Sequence, residues 1–134
     1  MEIKISTENG KVPVTVLHVD GNIDSATSDI FKAKADELIN GGARHILVDL
    51  SHVPFVSSAG LRAFHGIFNT LRSLHPDANL SNDDVKKGIS AGTYKSPHLK
   101  LLNLSKETKA TFELSGFDMY IETYTDRETA IASF

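Results

Sequence analysis

The chain of 134 residues contains no cysteine and no tryptophan, and only 4 prolines. Without cysteine there can be no disulfide, no thiolate metal ligand and no cysteine nucleophile. Long apolar runs are missing too: none approaches the roughly 18 residues that a membrane-spanning helix needs. The opening Met1-Glu2-Ile3-Lys4-Ile5 lacks the basic-then-apolar order of a secretion signal. A cytoplasmic protein with no direct membrane insertion is therefore expected. Charge of one sign is scarce, with 14 Lys and Arg against 17 Asp and Glu and a net charge of −3. Such a balance has no general attraction for phosphate backbones, so no nucleic-acid partner is expected. The 6 histidines form neither H-x₃₋₅-H nor H-E-x-x-H, and no glycine-rich phosphate loop occurs. Neither a metal nor another cofactor is expected.

What remains is an ordinary globular composition, 40% hydrophobic and 23% charged, of about one domain's length. Ile3 and Ile5 alternate with Glu2, Lys4 and Ser6, the pattern of a half-buried strand. Glu8-Asn9-Gly10 is a turn signal, and Val12, Val14 and Val16 continue a second strand. After Asp20-Gly21-Asn22, oxygens from Asp24, Ser25, Thr27 and Ser28 can cap a helix with Ile30, Phe31, Lys34, Leu38 and Ile39 near one stripe, closed by Gly41-Gly42. His45 to Leu50 is a near-continuous apolar run, as in a central strand covered on both faces. Leu61, Phe64, Ile67, Phe68, Leu71 and Leu74 then recur at helical spacing. Residues 75–98 are polar and read as a long inserted connection, with Ser81-Asn82-Asp83-Asp84 able to cap a short helix near Gly88. A strand at Leu99–Asn103, a helix capped by Ser105, carrying Ala110, Phe112 and Leu114 and stopped by Gly116, a brief strand at Met119-Tyr120-Ile121 and a last helix capped by Asp126 complete the chain. The expectation is one α/β domain over residues 1–134, a single mixed sheet of four to five strands flanked by about four helices.

The informative stretch is Asp49-Leu50-Ser51-His52-Val53-Pro54-Phe55-Val56-Ser57-Ser58-Ala59-Gly60-Leu61. A buried strand feeds a short loop that delivers two serines to a helix N-terminus, where free N–H groups and the helix dipole favour an anion. Gly60 leaves the first turn bare for close approach of another backbone. A phosphate on Ser58 would add nearly two charges and three acceptor oxygens. From spacing alone, Ser57 or Ser58 is equally well a plain helix cap. Ser58-Ala59-Gly60 is also half of a G-x-S-x-G nucleophile elbow, but Val56 stands where its first glycine belongs.

This stretch resembles the signature loop of STAS domains, in particular those of bacterial anti-sigma factor antagonists. The resemblance extends to Gly21-Asn22-Ile23-Asp24, to Leu102-Asn103-Leu104-Ser105 and to Phe112-Glu113-Leu114-Ser115-Gly116-Phe117. It implies the STAS fold and a non-enzymatic partner switch. The unphosphorylated antagonist binds an anti-sigma factor that is also a serine kinase. Phosphorylation of the loop serine releases it, and a phosphatase resets it. By position the phosphoacceptor is Ser58, with Ser57 second because many members carry Asp there. Asp24 matches the acidic residue beside the site, and Phe55, Val56, Ser57, Ser58, Ala59, Gly60 and Leu61 would form the partner-binding edge. The alternatives are a constitutive STAS interaction module of a signalling or transport complex and, more remotely, a serine hydrolase acting through Ser58.

Overall fold

A computed structural model describes residues 1–74, 87–89 and 95–134. Most of the connection expected at 75–98, including its Ser81-Asn82-Asp83-Asp84 cap, lies outside the described residues; residues 87–89 are helical.

The chain opens on a hairpin. β1 (Glu2–Asn9) runs antiparallel to β2 (Pro13–Asp20), in register from Glu2↔Asp20 to Asn9↔Pro13. Pro13 is the first residue of its strand, a position that tolerates a missing N–H. Helix α1 (Ser28–Asn40) crosses to β3 (Ile46–His52), and α2 (Ser58–Leu74) follows. Beyond the connection come β4 (Leu99–Leu102), α3 (Lys106–Ser115), β5 (Thr123–Tyr124) and α4 (Arg127–Ala132). The sheet order is β1-β2-β3-β4-β5, one antiparallel pair followed by three parallel ones.

One face of the sheet packs Leu17, Val19, Ile46, Val48, Leu50, Leu99 and Leu101 against α1, α2 and α3. The three helices meet through Phe31, Phe64 and Phe112, with ring centroids 5.0 Å and 5.6 Å apart. Burying each such ring contributes about 1.5–3 kcal/mol relative to exposure. The opposite face is smaller: Val14, Val16, Leu47 and Leu102 pack under Ala130 of α4. Coverage on both faces explains why β3 reads as a near-continuous apolar run. Lys100 points to this second face and is buried. Its Nζ donates to the Ser133 carbonyl at 2.9 Å and pairs with Glu122 at 3.4 Å. Those partners offset the desolvation of the ammonium and tie the C-terminus to the sheet.

Three local expectations are corrected. Met119-Tyr120-Ile121 is not a strand: Gly116 turns the chain at φ 80°, a 3₁₀ turn covers Phe117–Met119, and β5 begins at Thr123. Tyr120 and Ile121 are buried from within that turn, and a short apolar run does not distinguish a strand from a buried turn. Leu114 is 91% exposed; α3 buries only Thr108 and Phe112, one helical step apart. In α1 the buried stripe is Phe31, Ala35 and Ile39, at i, i+4, i+8, which leaves Ile30 about 100° off the stripe and exposed.

Candidate functional site

The loop from Val53 to Ser57 leaves the C-terminal end of β3 and is stitched to the β2–α1 connection. The Gly21 N–H donates to the His52 carbonyl at 3.0 Å and the Ile23 N–H to the Phe55 carbonyl at 3.1 Å. The Ser57 N–H returns a bond to the Ile23 carbonyl at 2.9 Å, and Ile23 and Val56 form a parallel β-bridge. Val53 and Val56 are fully buried beneath the loop, so apolar anchoring and backbone pairing fix it together. Upstream, the Asp49 carboxylate accepts from the Ser51 N–H at 3.0 Å and from the Ser51 hydroxyl at 2.8 Å, shaping the strand end. Burial pushes the Asp49 carboxyl up, but these bonds and the neighbouring His18 outweigh it and hold the group below the usual carboxylate value.

Gly60 lies against this seam. A Cβ there would sit 2.6 Å from the Ile23 carbonyl oxygen and 2.6 Å from Val56 Cγ1. The bare turn read from sequence thus receives a backbone from the same chain.

The two serines have different surroundings. Ser57 is half-buried; its carbonyl accepts from the Leu61 N–H at 2.9 Å and its hydroxyl faces the Gly60 N–H at 3.4 Å. It occupies the N-cap position. Ser58, the first helical residue, is exposed, and its hydroxyl has no hydrogen-bond partner among the described residues. No acidic residue lies in the first turn of α2, so the positive helix end is uncompensated there. In particular, no histidine among the described residues is hydrogen-bonded to Ser58, as a Ser58 nucleophile would need.

Asp24 organises the neighbouring turn. Its carboxylate accepts from the Ala26 N–H at 2.9 Å, and its carbonyl accepts from the Ser28 N–H at 2.8 Å. The Thr27 hydroxyl accepts from the Asp24 N–H and donates to the Asn22 carbonyl at 2.7 Å. Asp24 reaches the serine loop through the adjoining Ile23 backbone. Phe55 is 44% exposed and Ala59 partly so, while Val56, Gly60 and Leu61 are buried. The predicted edge therefore divides into an outer set, Phe55, Ser58 and Ala59, and a set that holds its shape from below.

One contribution was not legible from sequence. The Ser105 hydroxyl, which caps α3 by accepting from the Thr108 N–H at 3.1 Å, lies 2.9 Å from the Pro54 carbonyl and donates to it. Ser105 was legible as a cap; its second bond, to a loop 51 residues away, has no sequence signal. Among the described residues no group of three or more His, Cys, Asp or Glu is placed to hold a metal ion. No helix among them is long and apolar enough to cross a membrane.

The chain is similar to known proteins along most of its length. It is 25% identical over 116 residues to BtrV of Bordetella bronchiseptica, a candidate anti-sigma factor antagonist, covering 87% of this chain and 82% of that one. The fold matches a candidate anti-sigma factor antagonist of Thermotoga maritima with a TM-score of 0.71 at 17% identity, covering 96% of this chain and 91% of the other. It also matches the Bacillus cell fate determinant SpoIIAA in its phosphorylated form, with a TM-score of 0.63 at 17% identity and coverage of 97% and 96%. The model of the STAS domain family matches residues 5–80, more than half of the sequence, and the chain belongs to that family.

Proposed function

We propose that the chain is a single-domain, cytoplasmic anti-sigma factor antagonist working as a phosphorylation-controlled partner switch, with Ser58 as the phosphoacceptor. In the unphosphorylated state it binds an anti-sigma factor that is also a serine kinase; phosphorylation of Ser58 releases it, and a phosphatase restores it. The observation that carries this reading is the contrast between the two serines. Ser57 is engaged as a helix cap, whereas the Ser58 hydroxyl is exposed and unpartnered on a loop fixed by backbone bonds and buried valines. The relationship to anti-sigma factor antagonists supports the choice of partner.

The mechanism is local electrostatics. A phosphate on Ser58 adds nearly two negative charges at a positive helix end, which the chain's own fold accommodates. A partner seated over Phe55, Ser58 and Ala59 meets that charge and its hydration shell instead of a small neutral hydroxyl. The buried Val56, Gly60 and Leu61 hold the loop in place, and Asp24 keeps the adjoining turn in register. The switch is a binding function and needs no catalysis by this chain.

The test is binding to the cognate anti-sigma factor kinase. Ser58→Ala is expected to retain binding and Ser58→Asp to lose most of it. Equal binding by both refutes the switch and favours a constitutive interaction module. Mass spectrometry of the tryptic peptide from His45 to Arg62, which holds Ser51, Ser57 and Ser58, locates the phosphate. Phosphate on Ser57 moves the site by one residue.

A further inference from the structure

The face of the sheet that α4 covers is only partly closed. Ala130 shields Val14, Val16, Leu47 and Leu102. Beside it the same face opens into a cleft of about 300 Å³ lined by Glu2, Lys4, His18, Asp20, Asp49 and His52. Ser6 lies at the edge of this cleft, next to its lining residue His18, and strand register determines what meets along that edge. Ser6 pairs with Val16 across the antiparallel β1–β2 ladder, so its diagonal neighbour on the same face is His18. His18 lies directly opposite Asp49 in the parallel β2–β3 ladder. Three adjacent strands thus each contribute one side chain to a single row.

The row is hydrogen-bonded end to end. Ser6 Oγ is 2.9 Å from His18 Nε2, and His18 Nδ1 is 3.1 Å from Asp49 Oδ2. With the Nδ1–H donated to the carboxylate, Nε2 is left to accept from the serine hydroxyl. Asp49 is held on its other oxygen by Ser51, which fixes the orientation of the carboxylate. The Arg127 guanidinium reaches over from α4, with Nη2 3.4 Å from Ser6 Oγ and a salt bridge to Glu8. The guanidinium, its charge shared with Glu8, lies beside Ser6 Oγ, near where negative charge would develop. His18 is 28% exposed and Asp49 15%, so the base is sheltered yet reachable from the cleft.

We propose that Ser6, His18 and Asp49 form a nucleophile, a general base and a positioning residue that accept an acyl group from small activated esters. Ser6 Oγ bonds to the ester carbonyl carbon while its proton passes to His18 Nε2, and the carbonyl electron pair moves to oxygen beside Arg127. On collapse the bond from carbon to the leaving alkoxide or aryl oxide breaks, and His18 returns the proton to that oxygen. Water then repeats the sequence on the acyl-serine and releases a carboxylic acid. Ser6 and His18 lie outside the loop that carries Ser58; Asp49 is shared, because its bonds to Ser51 also shape the strand end that feeds that loop.

The probe is p-nitrophenyl acetate, used on the full chain. The expected result is a burst of nitrophenol and the mass increment of one acetyl group on Ser6 in the tryptic peptide from Ile5 to Lys11. Ser6→Ala should abolish the burst, and His18→Gln should slow it about 100-fold, the scale of general-base catalysis. Far-UV circular dichroism checks that both variants fold. The charged and titratable groups around the imidazole are Glu2, Lys4 and Glu8 from β1, Asp20 from β2, Asp49 and His52 from β3 and Arg127 from α4. Asp49→Asn removes the anion facing the imidazole, so the rise of rate with pH should move to lower pH. A purely structural role for Asp49 would lower the folded fraction and leave the profile in place. A wild-type protein acetylated on lysines but not on Ser6, or a burst unchanged in Ser6→Ala, overturns the proposal.

Discussion

Two glycines of α2, Gly60 and Gly66, should respond differently to the same substitution. Gly60→Ala places a methyl 2.6 Å from the Ile23 carbonyl oxygen and 2.6 Å from Val56 Cγ1. Neither can retreat freely. The carbonyl is bonded to the Ser57 N–H at 2.9 Å, and Val56 is fully buried. Overpacking of this kind costs about 1–3 kcal/mol, and weakening the Ile23–Ser57 bond adds about 1 kcal/mol. Alanine returns at most about 1 kcal/mol of helix propensity. The net expectation is destabilisation by about 1–3 kcal/mol. A methyl at Gly66 also meets an atom at 2.6 Å, but that atom is Lys32 Cε, near the end of a flexible side chain. Lys32 can swing aside at the cost of its half-exposed pair with Asp36, worth about 0.2–1 kcal/mol. Gly66→Ala should therefore be neutral or stabilising by up to about 1 kcal/mol. Urea denaturation followed by far-UV circular dichroism measures both. A Gly60→Ala protein as stable as wild type, or a Gly66→Ala protein as damaged as Gly60→Ala should be, would refute the steric argument. Gly60→Ala should also speed hydrogen exchange at the Ser57 amide, the first bond the intruding methyl strains.

Burial pushes the Tyr120 phenol up to about 12 from an ordinary 10.0. Because the folded-state value is the raised one, its stabilising contribution is complete below pH 10 and is lost as pH rises towards 12. Alkaline titration of Tyr120→Phe should lack that part of the stability loss; identical slopes between pH 10 and 12 would contradict it. Ser105→Ala removes the cap of α3 and the bond to Pro54, and should destabilise by about 1–2 kcal/mol in thermal or urea unfolding. An unchanged midpoint would mean the cap is replaced by water. Phe31→Ala, which removes one ring of the three-helix cluster, should cost about 3–5 kcal/mol in the same assay.

Much of the architecture was legible because it is written in local periodicity. The hairpin, the sandwiched β3 run, the long apolar stripe of α2 and the caps at Ser105 and Asp126 follow from short-range rules, and the structure has them. Errors fell where local pattern is degenerate. Tyr120 and Ile121 look like strand residues but are buried from a turn, and Leu114 and Ile30 look like core residues but lie off the stripe that the sheet covers. The serine loop was legible as a strand–loop–helix motif with a bare first turn.

By itself, the sequence determined the element types, the α/β class and the position of Ser57 and Ser58 at a helix start, because capping, turn chemistry and hydrophobic spacing act over a few residues. Only the tertiary structure decided how the serine loop is held, because the Ser57 N–H is bonded by the carbonyl of Ile23, brought in by a backbone bridge from another connection. It alone turned Gly60 from a permissive residue into a required one, by pressing a carbonyl against it. And it alone aligned Ser6, His18 and Asp49, which lie far apart in the chain. Strand register, fixed by which faces of the sheet the helices bury, sets those meetings, and register is a property of the whole sheet.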